Sequence, residues 1–202
     1  MSHSDTEVMY LDTFDPSNHI FTRDGVLVPS CTGILQAVGI TKVPEHPTAL
    51  RNFRRAAARG TIIHDLACDI LRGEEDLGLF AEGVNYLKGF KQFLKDFTLT
   101  RTVTENWLIA EHMGVTYGVI PDIHGWLNGQ EAIIEIKTTV KVEDSHSIQT
   151  AAQAVALGRE NALRAAVYLR PDMSYRFKLH TDPNDFTKWA EALSDVRTNV
   201  IS

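Results

Sequence analysis

The order of sequence patterns along this chain predicts an α/β fold, in which helices flank a mixed central sheet. Apolar residues recur at helical spacing in the segments 48–73 and 81–97, which we expect to be helices. Three segments rich in β-branched and aromatic residues follow and are interpreted as strands: 100–110, 115–127 and 130–140. A helix at 145–162 and two paired strands at 163–171 and 173–180 complete a core with the order helix, three strands, helix, strand.

The length of the chain predicts a single domain, because 202 residues are enough for one apolar core and too few for two. We divide this domain, 1–202, into three parts: an N-terminal extension with a short helix (1–47), a core (48–180) and a C-terminal helix (181–202). A small hairpin that turns at Asp24-Gly25 is expected in the extension.

Helix boundaries are predicted from capping residues and from glycine. Ser30 is expected to cap the short helix of the extension, and either Ser145 or Ser147 the helix at 145–162. In the C-terminal helix, Asp182 is the predicted cap and Pro183 the first helical residue. A break is expected at Gly60, within the helix at 48–73.

The charge balance limits how this chain can hold nucleic acid. Apolar residues make up 44% and charged residues 23%, which is typical of a globular protein rather than a disordered one. Lys and Arg number 20 against 26 Asp and Glu, a net charge of −6, whereas proteins that neutralise the phosphates of duplex DNA broadly are basic. Contact with nucleic acid must therefore depend on a local basic patch, or on metal ions that neutralise clustered carboxylates.

The two cysteines, Cys31 and Cys68, are too few for a disulfide framework, a zinc ribbon or an iron–sulfur cluster held by four cysteines. We expect both to be reduced, inert thiols in the core. The first 15 residues lack an apolar run, and no segment approaches the length of a membrane span. The sequence therefore predicts a soluble, cytoplasmic protein with no membrane partner.

The second hairpin of the core places charged residues together. Asn128-Gly129 is the preferred pair for a two-residue type I′ turn, and counting outward from it puts Asp122 directly opposite Glu135. Opposed side chains have Cβ atoms about 4.5–5.5 Å apart, and two like charges there destabilise a sheet. A Mg²⁺ ion would relieve this repulsion, since Mg²⁺ is usually held by one or two carboxylates with waters and phosphates. Lys137 points to the same face, unless a bulge shifts the register by one residue.

These motifs resemble a known family of nucleases. The pair PD at 121–122 and the EIK at 135–137 on the next strand are similar to the motif of the PD-(D/E)xK nuclease superfamily. Further segments resemble its RecB-type and phage exonuclease branch, so that the likeness spans about residues 28–170: VPSCTGIL (28–35), RGTIIH (59–64), Glu105, IEIKT (134–138) and IQTAAQA (148–154). The resemblance implies a restriction-endonuclease-like αβββαβ core with additions at both ends.

The resemblance also implies a role for each site residue. Asp122 and Glu135 would be metal ligands and His64 a further ligand, while Lys137 would position or polarise the attacking water. Gln149 would steady the lysine or a phosphate. The chain departs from the family at two positions that leave these residues unchanged. Gln153 stands where a tyrosine is common, and Gly118 lies four residues before the aspartate instead of three.

Several of these residues have a structural alternative. His64 lies at the edge of an apolar helix stripe, where a histidine can simply pack in the core. Glu105 would need a metal ion or Lys137 as its partner if its strand face points inward, but would be exposed on an edge strand. Gln149 and Gln153 share one helix face, and only Gln149 is favoured as a site residue because surface glutamines are common on such helices.

Four arginines, Arg51, Arg54, Arg55 and Arg59, form one stripe on the helix that carries His64. Such a stripe is either an ordinary solvated face or a track for DNA phosphates. Trp126, at the tip of the hairpin, is a candidate for stacking on a base or for packing across the strands.

The residues and the resemblance together predict a magnesium-dependent DNA nuclease in which Mn²⁺ can replace Mg²⁺. Glu105 and His64 would complete the ligand set. We expect an exonuclease of recombination and repair or of phage type. The alternatives are a structure- or site-specific endonuclease and a catalytically inactive nucleic-acid- or protein-binding module on the same fold. The resemblance implies DNA as substrate, a single-strand annealing protein or a helicase as partner, and further copies of the chain in a homo-oligomer.

Overall fold

A five-stranded sheet lies at the centre of the protein. The computed structural model describes residues 10–74 and 83–201, and this part of the chain contains five helices: α1 (Cys31–Ala37), α2 (Pro47–Arg72), α3 (Val84–Asp96), α4 (Asp144–Leu157) and α5 (Asn184–Ile201). The same residues form ten strands: β1 (Asp12–Asp15), β2 (Ile20–Arg23), β3 (Val26–Val28), β4 (Leu99–Thr104), β5 (Leu108–His112), β6 (Val115–Val119), β7 (Ile123–Leu127), β8 (Gln130–Lys137), β9 (Leu163–Leu169) and β10 (Tyr175–Leu179).

The central sheet has the strand order β10-β9-β8-β7-β4, in which β8 and β9 are parallel and the other neighbours are antiparallel. A parallel pair needs a crossover connection, and α4 lies within it. The mixed sheet predicted from the sequence is therefore confirmed. The core also follows the expected order of helix, three strands, helix and strand, formed by α3, β4, β7, β8, α4 and β9.

Two of the predicted strands are wrong as continuous elements. The segment 100–110 divides into β4 and β5 because Glu105 has a φ of +52°, a left-handed conformation that ends the first strand. The segment 115–127 divides into β6 and β7 around Pro121, which has no backbone N–H to donate to a ladder. As a result, β5 and β6 form a separate two-stranded hairpin, and an isolated bridge joins Gly118 of β6 to Ser30.

The expected helix break at Gly60 is also wrong, because α2 runs without interruption over 26 residues. A Cβ at Gly60 would lie 3.3 Å from Oγ1 of Thr138, so glycine serves here as a point of close approach between α2 and the chain that follows β8. The apolar stripe of α2 contributes Ile63 and Ala67 to the core, as its spacing predicts. Residues 81 and 82 of the second predicted helix lie outside the described residues.

The structure confirms one helix cap and corrects another. The Gly33 N–H donates to Oγ of Ser30 at 3.0 Å, so Ser30 caps α1 as predicted. Neither serine caps α4, whose cap is Glu143 in a reciprocal arrangement with His146; this helix ends before Gly158. At α5, the Asp182 carboxylate accepts from the Asn184 N–H at 2.9 Å as expected, although Pro183 precedes the helix instead of opening it.

The apolar side chains form two clusters. One cluster packs α2 and α3 against the central sheet and includes Phe90, Phe93 and Ile134. The other joins α1, α4 and α5 to the β5–β6 hairpin around Tyr117 and Trp189. None of the described helices combines the length and the apolar character needed to span a bilayer.

The two cysteines are buried free thiols, as predicted. Burial raises the pKa of Cys31 to about 12 and also raises the pKa of Cys68, so both stay protonated and unreactive at neutral pH.

A three-stranded sheet formed by β1, β2 and β3 packs beside β6, and its hairpin turns at Asp24-Gly25 as predicted. The Gly118 N–H donates to the Pro29 carbonyl at 2.9 Å. The ring of Phe21 occupies the space that a Cβ at position 118 would need. The absence of a side chain at Gly118 therefore allows the N-terminal sheet to pack closely on β6.

Buried polar contacts fix the position of α4. Arg164 on β9 forms an ion pair with Asp185 on α5 at 3.2 Å, and Ser147 of α4 donates to the same carboxylate at 2.8 Å. Thr150 of α4 forms a hydrogen bond of 3.0 Å with Nδ1 of His180. Burial, together with the charge of Arg164, lowers the pKa of His180 to about 4, so this histidine is neutral in the folded protein at neutral pH.

Replacing Gly118 by alanine should destabilise the protein by about 1–3 kcal/mol, because the new methyl group must displace the ring of Phe21. Urea denaturation would measure this loss. In a Phe21→Ala background the same substitution should have little further effect, since the obstructing ring is gone. Equal losses in both backgrounds would contradict this account.

The neutral state of His180 predicts a loss of stability in acid. The unfolded chain binds a proton at His180 near pH 6.5 and the folded chain only near pH 4, so the contribution is complete above pH 6.5. It should then fall by about 3 kcal/mol between these two pH values. Urea denaturation from pH 4 to 7.5 should show a shallower pH dependence for His180→Asn than for wild type. An identical dependence in both proteins would contradict the assignment.

Candidate active site

The hairpin of β7 and β8 has the register predicted from its turn. Leu127 pairs with Gln130 and Ile123 with Ile134, and both turn residues, Asn128 and Gly129, have positive φ. Asp122 lies one residue before β7, so it is not itself a ladder partner of Glu135. Its Oδ2 instead accepts the Ile136 N–H at 2.7 Å. The carboxylate thus takes the place of a backbone carbonyl as the acceptor for this N–H of β8, and it lines the same cavity as the side chain of Glu135.

Glu135 is a carboxylate on a central strand with only 3% of its surface exposed. Lys137 donates from Nζ to Oε1 of Glu135 at 2.8 Å, and Gln149 donates from Nε2 to the same oxygen at 2.6 Å. Gln153 donates from Nε2 to Oε2 at 2.9 Å. Both oxygens of Glu135 are therefore held by hydrogen bonds, of which only one comes from a charged donor.

Lys137 is held between Glu135 and Gln149, with Nζ donating to Oε1 of Gln149 at 2.9 Å. Burial would lower the pKa of Lys137, but the negative charges of Glu135 and Asp122 outweigh it, so the pKa lies above its ordinary value. The ammonium is therefore charged at neutral pH, and its hydrogen bonds to Glu135 and Gln149 fix its position. Gln149 lies next to the lysine that the family resemblance expects it to steady.

Gln153 is a site residue that the sequence analysis did not favour. It is completely buried, and it also donates from Nε2 to the Ile120 carbonyl at 3.4 Å. Its spacing of four residues from Gln149 placed both side chains on one helix face. The signal in the sequence was that Gln153 stands within the apolar run AAQAVAL (151–157), where a buried polar side chain needs a hydrogen-bond partner.

His64 on α2 faces Asp122, with 3.6 Å between Nδ1 and Oδ2. Burial works against a charged imidazole, but the Asp122 carboxylate more than compensates and raises the pKa of His64. Burial likewise opposes the charge of Asp122, whose pKa is nevertheless lowered by His64 and Lys137. His64 therefore lies at the site rather than only in the apolar core.

Glu105 has a different partner from the one expected. Its carboxylate pairs with Arg72 at 3.1 Å and not with Lys137, because the left-handed turn at Glu105 directs it toward the end of α2. It belongs neither to an inward strand face nor to an exposed edge, since it lies between β4 and β5 with 34% of its side chain exposed. Burial raises its pKa despite the hydrogen bond from Arg72.

One cavity, of about 970 Å³, connects these side chains. The predicted site residues Asp122, Glu135, Lys137, Gln149, His64 and Glu105 all line it, although they come from α2, β8, α4 and the ends of β4 and β7. This convergence follows from the antiparallel pairing of β7 and β8. The segment that precedes β7 and the last residues of β8 lie at the same end of the sheet.

The donor set fits a hard divalent cation. Asp122 and Glu135 offer carboxylate oxygens, and His64 offers an imidazole nitrogen in the same cavity. Within residues 10–74 and 83–201, no three His, Cys, Asp or Glu side chains are grouped closely enough to bind an ion by themselves. A site of two carboxylates that is completed by water and phosphate is the arrangement that Mg²⁺ prefers, since it retains much of its hydration shell.

The four arginines of α2 do not belong to the described lining of this cavity. Arg51, Arg54 and Arg55 are exposed, while the guanidinium of Arg59 lies over the ring of Tyr86 at 5.8 Å. At 100° per residue, the three α2 residues that do line the cavity, Thr61, His64 and Asp65, point on average roughly 100° away from the centre of this stripe. The stripe therefore lies to one side of the face that lines the cavity, and its contact with DNA stays a prediction.

Trp126 lies beside a different depression, which Glu131 and Arg159 also line. The guanidinium of Arg101 lies 5.7 Å from its ring centre, and 37% of the side chain is exposed. Trp126 thus packs across the strands at the hairpin tip, outside the described lining of the larger cavity.

Comparison with known proteins adds little to this geometry. No family model matches the chain. No curated protein matches it either. Thirteen chains of solved structures are similar to it, among them the crystal structure of SSO0001, with 17% sequence identity and a TM-score of 0.40. That match covers 68% of this chain and 73% of the other.

Replacing Gln153 by methionine should lower the free energy of unfolding by about 2 kcal/mol, because Glu135 loses a buried hydrogen bond of the charged type. The matched control is Gln92→Met on α3, where an exposed Gln92 donates to Asp96 four residues later and the expected loss is about 0.5 kcal/mol or less. Urea denaturation measures both. A loss no larger than that of the control would show that Glu135 does not need this partner.

Proposed function

We propose that the chain is a magnesium-dependent deoxyribonuclease, and specifically an exonuclease. The observation that carries the proposal is the convergence of Asp122, Glu135 and Lys137 in one cavity, with the lysine 2.8 Å from the glutamate. Carboxylates that can bind Mg²⁺ beside a fixed ammonium suit the hydrolysis of a phosphodiester, which requires an oriented water and relief of negative charge. The resemblance of these residues to the PD-(D/E)xK motif supports the same reaction.

The polar side chains divide the work of such a reaction. When bound by Asp122 and Glu135, Mg²⁺ supplies Lewis acidity for the phosphoryl oxygens and the attacking water. Lys137 orients the water and adds positive charge where negative charge develops in the transition state. Gln149 helps to keep the ammonium in place by accepting its second hydrogen bond, at 2.9 Å. His64 lies 3.6 Å from the Asp122 carboxylate and can serve as a further ligand of the metal ion.

The charge of the cavity is consistent with a requirement for cations. Four carboxylates line it, those of Asp65, Glu105, Asp122 and Glu135, and the chain as a whole has a net charge of −6. A phosphodiester would be repelled from such a surface. Divalent ions remove this repulsion at the site itself, so an acidic protein can act on DNA without a broad basic surface.

Nuclease assays on linear and closed circular DNA would test the proposal, with Mg²⁺, Mn²⁺ or EDTA. We expect loss of linear DNA with either ion and none with EDTA. Lys137→Ala should reduce the rate by at least about a hundredfold, in the range found when an electrostatic stabiliser of the transition state is removed. The matched control is Lys141→Ala, four residues further on, since this lysine side chain is 79% exposed and should not affect the rate.

The outcomes separate the remaining alternatives. Cutting of the closed circle would identify an endonuclease instead of an exonuclease. Equal rates for wild type and Lys137→Ala would exclude this site as the source of activity. DNA binding without cleavage under any metal would identify a binding module.

A further inference from the structure

The same cavity is also lined by a group of aromatic side chains, called here the aromatic wall. Phe14, His19 and Phe21 from the N-terminal sheet and Trp107 from the segment between β4 and β5 line it. The ring of Phe14 is the centre of this aromatic wall. Its centroid lies 4.8 Å from that of Phe21, 5.7 Å from that of His19 and 6.0 Å from that of Trp107.

The aromatic wall is firmly held on one side and accessible on the other. Phe21 is buried and packs on Gly118, and Arg23 ties the N-terminal sheet to β5 through the Ile109 carbonyl at 3.2 Å. His19 is exposed, and 37% of Trp107 is accessible. Aromatic side chains in the core would be expected to bury their faces, so exposed rings at the rim of a cavity indicate a ligand with flat apolar surfaces.

The position of the aromatic wall specifies the ligand more closely. It lines the same cavity as side chains suited to a phosphodiester, so a ligand that contacts both groups carries a phosphate and a planar ring together. Nucleotides have this combination, and bases stack on aromatic side chains without regard to sequence. We propose that the aromatic wall stacks the bases of single-stranded DNA and thereby presents a phosphate to Asp122, Glu135 and Lys137. This inference rests on the proposed function.

The aromatic wall favours a single strand over a duplex. Bases in a duplex are stacked on each other, so their faces are not free for Phe14 or Trp107. A strand end must therefore be unpaired before it enters, which agrees with an exonuclease that acts on single-stranded ends.

Binding of a fluorescein-labelled oligo(dT) 12-mer, followed by anisotropy with Ca²⁺ in place of Mg²⁺, would test the aromatic wall separately from cleavage. Trp107→Ala should weaken binding about tenfold, the effect of losing one stacked base, and Trp107→Phe should recover most of it. The matched control is Trp126→Ala, because Trp126 is also 37% exposed but borders the other depression, and it should leave binding unchanged.

A second measurement does not depend on any variant folding. Wild-type protein should bind an oligomer of abasic sites about tenfold more weakly than oligo(dT), and a blunt 12-base-pair duplex more weakly still. Equal binding of the abasic oligomer, or stronger binding of the duplex, would overturn the proposal, as would equal losses for Trp107→Ala and Trp126→Ala.

Failure of the two proposals can be told apart. Stacking that depends on Trp107, in a protein that cleaves no DNA with Mg²⁺, would retain the aromatic wall and overturn the nuclease. Cleavage that is abolished by Lys137→Ala but unaffected by Trp107→Ala, with unchanged binding, would retain the nuclease and overturn the aromatic wall.

Discussion

The buried carboxylate of Glu135 sets the position of the helix that packs on this part of the sheet. Removing a carboxylate from water costs several kcal/mol unless charge and hydrogen bonds replace the lost hydration. Lys137 cannot do this alone, because it reaches only one of the two oxygens. Gln149 and Gln153 supply the remaining donors from α4, at 2.6 and 2.9 Å. The ion pair of Arg164 with Asp185 and the hydrogen bond of Thr150 to His180 then hold α4 in this position on the sheet.

The hydrogen bond of Asp122 explains why the chain is interrupted between β6 and β7. Oδ2 of Asp122 accepts the Ile136 N–H, a backbone donor of β8, so β7 cannot extend through this position as an ordinary strand. Pro121 and the left-handed Glu105 release the chain on the same side of the sheet, and β5 and β6 leave as a separate hairpin. The N-terminal sheet packs on that hairpin through Gly118. The interruption that directs the carboxylate therefore also creates the space for the cavity.

Local signals in the sequence were sufficient for the mixed character of the central sheet and for the register of its β7–β8 hairpin. The Asn128-Gly129 turn determines the register, and the register brings Asp122, Glu135 and Lys137 to one side. Contacts between distant segments could not be predicted in this way. Arg72 as the partner of Glu105 depends on a left-handed turn that no residue type requires.

Contacts between distant segments also determine how the N-terminal sheet docks and how α2 packs at Gly60, and the sequence did not predict them. The closeness of Phe14 to Trp107 depends on how this sheet docks, across more than 90 residues of chain. The predicted helix break at Gly60 was wrong because glycine occurs both where helices break and where two segments pack closely. The spatial closeness of Thr138 shows that Gly60 belongs to the second case.

The choice of glutamine on α4 has a consequence for the charge of the site. Glutamine satisfies Glu135 with hydrogen bonds but adds no positive charge, whereas arginine or lysine at position 149 or 153 would add a second cation beside the one that Lys137 supplies. Lys137 is therefore the only cation in contact with Glu135 among the described residues, and Asp122 keeps its own negative charge nearby. Net negative charge in a cavity of low dielectric attracts a divalent cation strongly. Neutral donors thus make the carboxylate stable enough to be buried while leaving it able to bind metal, which is the balance that a hydrolytic site of this kind requires.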